Sequence, residues 1–234
     1  MPELPDVVLY VESLDRLLSG ESIRNVRVRS PFILRTFDPP IEDTIGKTVN
    51  GFSRRGKRIV WHLDDGPFLV VHPMIAGRYH WKKKEYTGRG KNDLVAIDFD
   101  TGVMALTEAS KKKRAGVWVL RTLEEVDALD PGGIDVLTAS PGEFKNALCK
   151  SNNTLKRALT DPKRFDGIGN AYSDEILHTA RLSPLKRTGQ LTEAEIDRLQ
   201  MAARQTLTAW IERLREQTGA AFPEKVTAFR PEMA

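Results

Sequence analysis

A length of 234 residues with 40% hydrophobic content provides for one large domain or two ordinary ones, each with its own core. With no apolar run near the roughly 18 residues of a membrane span, and with Glu3 and Asp6 where a signal peptide carries positive charge, no membrane partner is expected and the predicted location is cytoplasmic. The balance of 36 Lys plus Arg against 32 Asp plus Glu, net +4, admits a polyanionic partner without requiring one.

From Leu4 to Leu18, the residues Val7, Val8, Val11, Leu14, Leu17 and Leu18 recur at helical spacing, which predicts a leading helix ended by Gly20. Strand-length apolar stretches follow at 23–28, 49–52, 59–63, 68–71, 78–81, 94–99, 103–106 and 117–120. Turn residues such as Asp64-Asp65-Gly66 and Asp100-Thr101-Gly102 separate several of them, a pattern of antiparallel sandwich or barrel. Near Pro131 the period changes from two to 3.6. Helices are predicted over 141–150, 154–159 and 170–180, and Thr192 with Glu195 forms a capping box before Ile196, Leu199, Ala203, Leu207, Trp210, Ile211 and Leu214. The expectation is an α+β protein: a β-sandwich domain with a leading helix over 1–130, and a helical domain over 131–234.

Positive clusters stand at Arg54, Arg55, Lys57 and Arg58, at Lys82 to Lys84 and at Lys111 to Arg114, each at the edge of a predicted strand. A solvated hairpin tip accounts for any one of them; three in one half also make a groove that tracks phosphates. The opening Met1-Pro2-Glu3 carries a second possibility. Removal of Met1 leaves Pro2 as a free secondary amine. An α-amino group titrates near about 8, so a neutral fraction able to attack an aldehyde or acetal-like carbon exists at physiological pH, and Glu3 could move the proton. Pro2 and Pro5 also suit the first turn of a helix with no chemistry at all. Downstream, Asp166-Gly167-Ile168-Gly169-Asn170-Ala171-Tyr172 opens a helix with two glycines. It reads as an anion site built of helix N-terminal amides plus Asn170, or as a plain glycine turn with an Asn cap. The single cysteine, Cys149, and the separated His62, His72, His80 and His178 make neither an internal disulfide nor a cysteine-clustered metal site, so no metal or other cofactor is expected within this chain.

Three segments, Pro2-Glu3-Leu4-Pro5-Asp6-Val7, Arg55-Gly56-Lys57 and Gly167 through Leu177, resemble the formamidopyrimidine-DNA glycosylase and endonuclease VIII family, in order and over nearly the whole chain. The resemblance implies a base-excision-repair DNA glycosylase with AP-lyase activity on oxidised or ring-opened bases, and a helical domain of the helix-two-turn-helix type. By that resemblance Pro2 attacks C1′ of the damaged nucleotide, Glu3 protonates the deoxyribose ring oxygen and the base departs. The remaining iminium then eliminates the 3′ and usually the 5′ phosphate. Lys57 would stand on its hairpin tip near the lesion phosphate, Asn170 would hold phosphate, and Arg114 and Met74 would contact DNA around the extruded nucleotide. The implied partner is double-stranded damaged DNA, bound by a monomer in a bacterial nucleoid.

The departures from the family pattern are specific. Arg114-Ala115-Gly116 stands where relatives active on 8-oxoguanine carry Arg-Phe-Gly, so the aromatic wedge is missing. In His72-Pro73-Met74-Ile75-Ala76-Gly77-Arg78, Ile75 takes the place of the gap-filling methionine and Met74 lies one residue earlier. Asp6 replaces a longer Glu, and Val8 a common acidic residue. Many relatives continue past 222–234 into a four-cysteine zinc finger; here a truncation before such a finger is expected, with a zincless variant as the other possibility. A non-catalytic damaged-DNA-binding paralogue and a ribosome-associated RNA-binding protein are the rival functions, and Pro2-Glu3 speaks against both, because binding needs no N-terminal nucleophile.

Overall fold

The computed structural model describes residues 1–234 except 225, 227, 228 and 234. The chain divides into two compact units, the first comprising Met1–Pro2, Val7–Leu129 and Thr218–Val226, the second Glu3–Asp6, Asp130–Gln217 and Thr227–Ala234. Two short pieces thus depart from the single boundary predicted after residue 130. Glu3–Asp6 groups with the second unit. Thr218–Val226 returns to the first because Phe222 and Val226 pack on its core, Arg16 Nη2 donates to the carbonyls of Ala220 and Ala221 at 3.4 and 3.2 Å, and His80 Nδ1 lies 2.7 Å from Glu224 Oε2.

In the first unit the leading helix α1 (Leu4–Leu18) turns Val7, Tyr10, Leu14 and Leu18 inward, all fully buried. Two antiparallel four-stranded sheets follow, ordered β1-β6-β7-β5 and β2-β3-β4-β8. The strands are β1 (Asn25–Val28), β2 (Val49–Arg55), β3 (Arg58–Leu63), β4 (Phe68–His72), β5 (Gly77–Lys82), β6 (Asp93–Asp98), β7 (Val103–Glu108) and β8 (Gly116–Leu120), one for each predicted stretch. Strand alternation divides β3 between two apolar clusters. Ile59, Trp61 and Leu63 enter the main core with Leu69, Val71, Ile97, Met104 and Leu106, which come from both sheets. Val60 faces the other way, against Val70, Leu120 and Val126. Val126 belongs to a short helix α2 (Leu123–Asp127), which the periodicity did not predict because five residues are too few to show a period. Its cap was legible nonetheless: the Thr122 side chain accepts from the Glu125 amide, a Thr-x-x-Glu start.

The second unit is helical. Helix α3 (Pro141–Cys149) starts from a full capping box of Ser140 and Glu143, and α4 (Leu155–Leu159) and α5 (Asn170–Ala180) precede the long α6 (Glu193–Thr218). The predicted box of Thr192 and Glu195 is present, Thr192 N donating to Glu195 Oε2 at 3.0 Å and Glu195 N to Thr192 Oγ1 at 3.3 Å. The predicted apolar stripe of α6 is buried from Ile196 to Leu214. Tyr172 meets Trp210 edge-on at 6.0 Å, and Phe144 meets Phe165 at 5.0 Å, so aromatic contacts join α5 to α6 and α3 to the turn before α5. No helix among the described residues is long and apolar enough to cross a membrane.

Candidate active site

Glu3 is a buried acid, 2% exposed. It lies at the N-terminus of α5, where Gly169 N and Tyr172 N donate to Oε2 at 2.8 and 3.1 Å and Ala171 N donates to Oε1 at 3.1 Å. A helix start leaves its first amides without intrahelical partners, and its macrodipole favours an anion there. Glu3 supplies both the acceptor and the charge. Three N–H donors on two oxygens call for a carboxylate, and they offset the cost of burying it.

Local sequence brings the carboxylate to this place. Gly167 has φ +75°, and a Cβ on it would stand 2.6 Å from Leu4 Cβ. Only glycine lets the turn approach closely enough for Leu4 N to donate to Gly167 O at 2.9 Å. Asp6 Oδ2 accepts from Glu3 N at 2.8 Å, which is half of a capping box at the head of α1. Asp6 was not among the predicted site residues, although an acid three positions after Glu3 is a readable signal.

The amides of the glycine turn, which the sequence offered either as an anion site with Asn170 or as a plain glycine turn, are taken by Glu3. Asn170 remains with its side chain exposed, and its carbonyl accepts from Lys156 Nζ at 2.6 Å. The second unit therefore brings two predicted residues together, Glu3 inside the turn and Asn170 on its outer side.

In the first unit Pro2 is buried. Lys57 is half-buried at the tip of the β2–β3 hairpin, whose two-residue turn follows Arg55, paired with Arg58, and uses the positive φ of Gly56, +61°. His72, not predicted as a site residue, lies at the end of β4 within electrostatic reach of this tip: burial, then the charges of Arg58 and Lys57, push its pKa down to about 4. The imidazole is neutral at pH 7, and Nδ1 accepts from Met74 N at 2.9 Å, which leaves the ring proton on Nε2. Met74 adopts φ +54° and is half-buried, while its neighbour Ile75 is 54% exposed.

Arg114 is exposed on a loop organised by Glu108, itself 1% exposed. The Glu108 carboxylate accepts from Arg114 N and Ala115 N at 2.8 and 3.0 Å, and Arg35 Nη2 donates to both of their carbonyls at 3.1 Å. Ala115 packs into the core at 2% exposure. The described residues contain no group of three His, Cys, Asp or Glu able to hold a metal ion. With one cysteine in the sequence, the residues present do not fit a four-cysteine zinc site.

Comparison with known proteins bears on both halves of the chain. Residues 1–116 match the formamidopyrimidine-DNA glycosylase N-terminal domain, and residues 135–221 match the formamidopyrimidine-DNA glycosylase H2TH domain. The formamidopyrimidine-DNA glycosylase of Wolbachia sp. subsp. Brugia malayi is 32% identical, over 89% of this chain and 77% of its own. That of Exiguobacterium sp. is also 32% identical, over 91% and 79%. Among solved structures, the Lactococcus lactis enzyme non-covalently bound to AP-site DNA matches with a TM-score of 0.83 at 26% identity, covering 90% of this chain and 82% of that one. The same enzyme with FAPY-dG DNA matches equally, at 0.83 and 26%, covering 90% and 80%.

Proposed function

This chain belongs to the formamidopyrimidine-DNA glycosylase family, and we propose that it removes an oxidised or ring-opened base from duplex DNA and then cleaves the strand as an AP lyase, with Pro2 as nucleophile. The observation that carries the reading is the seat of Glu3, 2% exposed under three amide donors. The carboxylate that caps α5 belongs to the residue directly following Pro2, so the fold holds an acid next to the amine that would attack. No observation favours the non-catalytic alternative.

The chemistry is a proton-balanced substitution. The neutral amine of Pro2 attacks C1′ as the base leaves with the glycosidic electron pair, and the nitrogen becomes an ammonium. Its proton passes to the Glu3 carboxylate, the next residue in the chain. Glu3, now protonated, donates to the deoxyribose ring oxygen as the nitrogen lone pair opens the ring, and an iminium joins Pro2 to the sugar. Loss of a proton from C2′ then expels the 3′ phosphate. Glu3 thus begins as an acceptor and becomes the donor only after the amine has attacked. Lys57 and Asn170 hold backbone phosphates, Arg114 adds a positive contact, and Met74 or the more exposed Ile75 fills the space left by the extruded nucleotide.

Borohydride trapping on duplex DNA with an abasic site tests the nucleophile. Protein lacking Met1 should give a covalent complex, and protein that retains Met1 should give almost none, because the proline nitrogen is then an amide. Equal trapping by the two forms would remove Pro2 from the role.

A further inference from the structure

Arg230 lies far from every motif in the sequence, yet its guanidinium reaches the seat of Glu3 by two routes. Nη2 donates to Asp6 Oδ1 at 2.6 Å, and Asp6 Oδ2 accepts from the Glu3 amide at 2.8 Å. Nη1 donates to Tyr172 Oη at 3.0 Å, and the Tyr172 amide donates to Glu3 Oε2 at 3.1 Å. The four residues close a ring in which Glu3 is held by its backbone on one side and by its carboxylate on the other. Asp6 is fully buried, and the Arg230 side chain is 12% exposed. The guanidinium also lies over the Trp210 ring, 5.7 Å from its centroid.

Resting on the role given to Glu3 above, we propose that Arg230 is a positioning residue for base excision, which sets the catalytic carboxylate by bridging Asp6 to Tyr172. A buried Asp6 without a cation would be an uncompensated charge beside the Glu3 amide. Arg230 neutralises it, and the planar guanidinium fixes the spacing between its two partners as a single ammonium does not. Burial disfavours the charge on Arg230, but Asp6 and Tyr172 hold its pKa above the ordinary value. Burial and the nearby Asp6 raise that of the Tyr172 hydroxyl, so the guanidinium stays charged and the hydroxyl keeps its proton. Arg230 is half-buried against Asp6, Tyr172 and Trp210 and touches no nucleic acid in this role, so its contribution falls on the rate of the chemical step and not on affinity.

The test uses the full chain and single-turnover excision from a formamidopyrimidine duplex at saturating enzyme, with dissociation constants from anisotropy on the same duplex. Arg230→Ala should slow excision at least tenfold while leaving the dissociation constant within twofold. Millimolar guanidinium should restore part of the rate to Arg230→Ala and none to Glu3→Gln. Arg230→Lys, which keeps a charge for Asp6 but cannot bridge, should fall between. Tyr172→Phe deletes one link without a cavity, and Arg230→Ala/Tyr172→Phe should be no slower than Arg230→Ala alone, since both cut the same ring. If Arg230→Ala does not fold, a loss of threefold or more in both Tyr172→Phe and Arg230→Lys supports the ring, and unchanged rates in both overturn it. An excision rate within twofold of the unaltered protein in Arg230→Ala overturns the proposal. So does a loss confined to affinity with a shallower salt dependence, the mark of a phosphate contact. Failure of the Glu3 assignment is separately visible, because Glu3→Gln would then excise at full rate.

Discussion

Replacing Glu3 by Gln changes one atom, and the hydrogen bonds specify what that atom does. If the amide oxygen takes the place of Oε2, the bonds from Gly169 N and Tyr172 N survive, and the new NH2 faces Ala171 N, donor against donor. One charge-assisted bond is lost and a buried amide is left unsatisfied, together about 1.5–3 kcal/mol, and the anion's interaction with the α5 macrodipole goes as well, another ~0.3–1 kcal/mol. Little solvent can compensate at 2% exposure, so a loss of about 2–4 kcal/mol in unfolding free energy is expected for the helical unit. Urea unfolding followed by circular dichroism, paired with excision and abasic-site trapping on the same preparations, measures both consequences. Excision should fall sharply while trapping on a preformed abasic site partly persists, since only excision needs full assistance to base departure. A Glu3→Gln protein within ~0.5 kcal/mol of the parent would show that the three amides do not hold a carboxylate, and equal loss of both activities would refute the division of labour.

His72 titrates at about 4 in the folded protein against roughly 6.5 when unfolded. The unfolded chain therefore binds the extra proton first. Stability is intact above about 6.5 and is lost as the pH falls toward 4, by up to about 3 kcal/mol from this residue. His72→Asn, which keeps an acceptor for Met74 N but does not titrate, should flatten the denaturation midpoint over that interval; an unchanged pH profile would count against the buried neutral imidazole. Gly167→Ala should cost about 2–4 kcal/mol, because its Cβ would lie 2.6 Å from Leu4 Cβ at a φ of +75°, and a variant as stable as the parent in thermal unfolding would contradict that close approach. Lys57→Ala should weaken binding to damaged and undamaged duplexes by similar factors and lower the slope of log affinity against log salt by about one, whereas Asn170→Ala should weaken both and leave the slope nearly unchanged. Anisotropy across a salt series decides it, and an unaltered slope for Lys57→Ala would take that residue out of the phosphate set.

The strands and the long helices were legible because their information is local. The apolar run along 59–63 follows from a strand with a core on each face, Ile59, Trp61 and Leu63 on one and Val60 on the other, the 3.6 spacing from Ile196 to Leu214 follows from one helix face meeting a core, and the Thr192–Glu195 box marks its own helix. Pro2, Glu3 and the Gly167–Tyr172 turn were also visible as separate features. Their connection was not. Residue types reveal that a helix start offers donors, but not which acceptor fills them, and here the acceptor is Glu3, 166 positions before Gly169. The same holds for Asp6 and Arg230, 224 positions apart, and for His72, whose neutrality depends on burial and on the charges of Arg58 and Lys57 at a hairpin tip. Sequence by itself determined the strands, the longer helices, their order and the chemical groups available, and missed the five-residue α2. Tertiary structure alone decided which groups face each other, because the hydrogen bonds and desolvation that make Glu3 a held carboxylate come from residues that folding brings together across most of the chain's length.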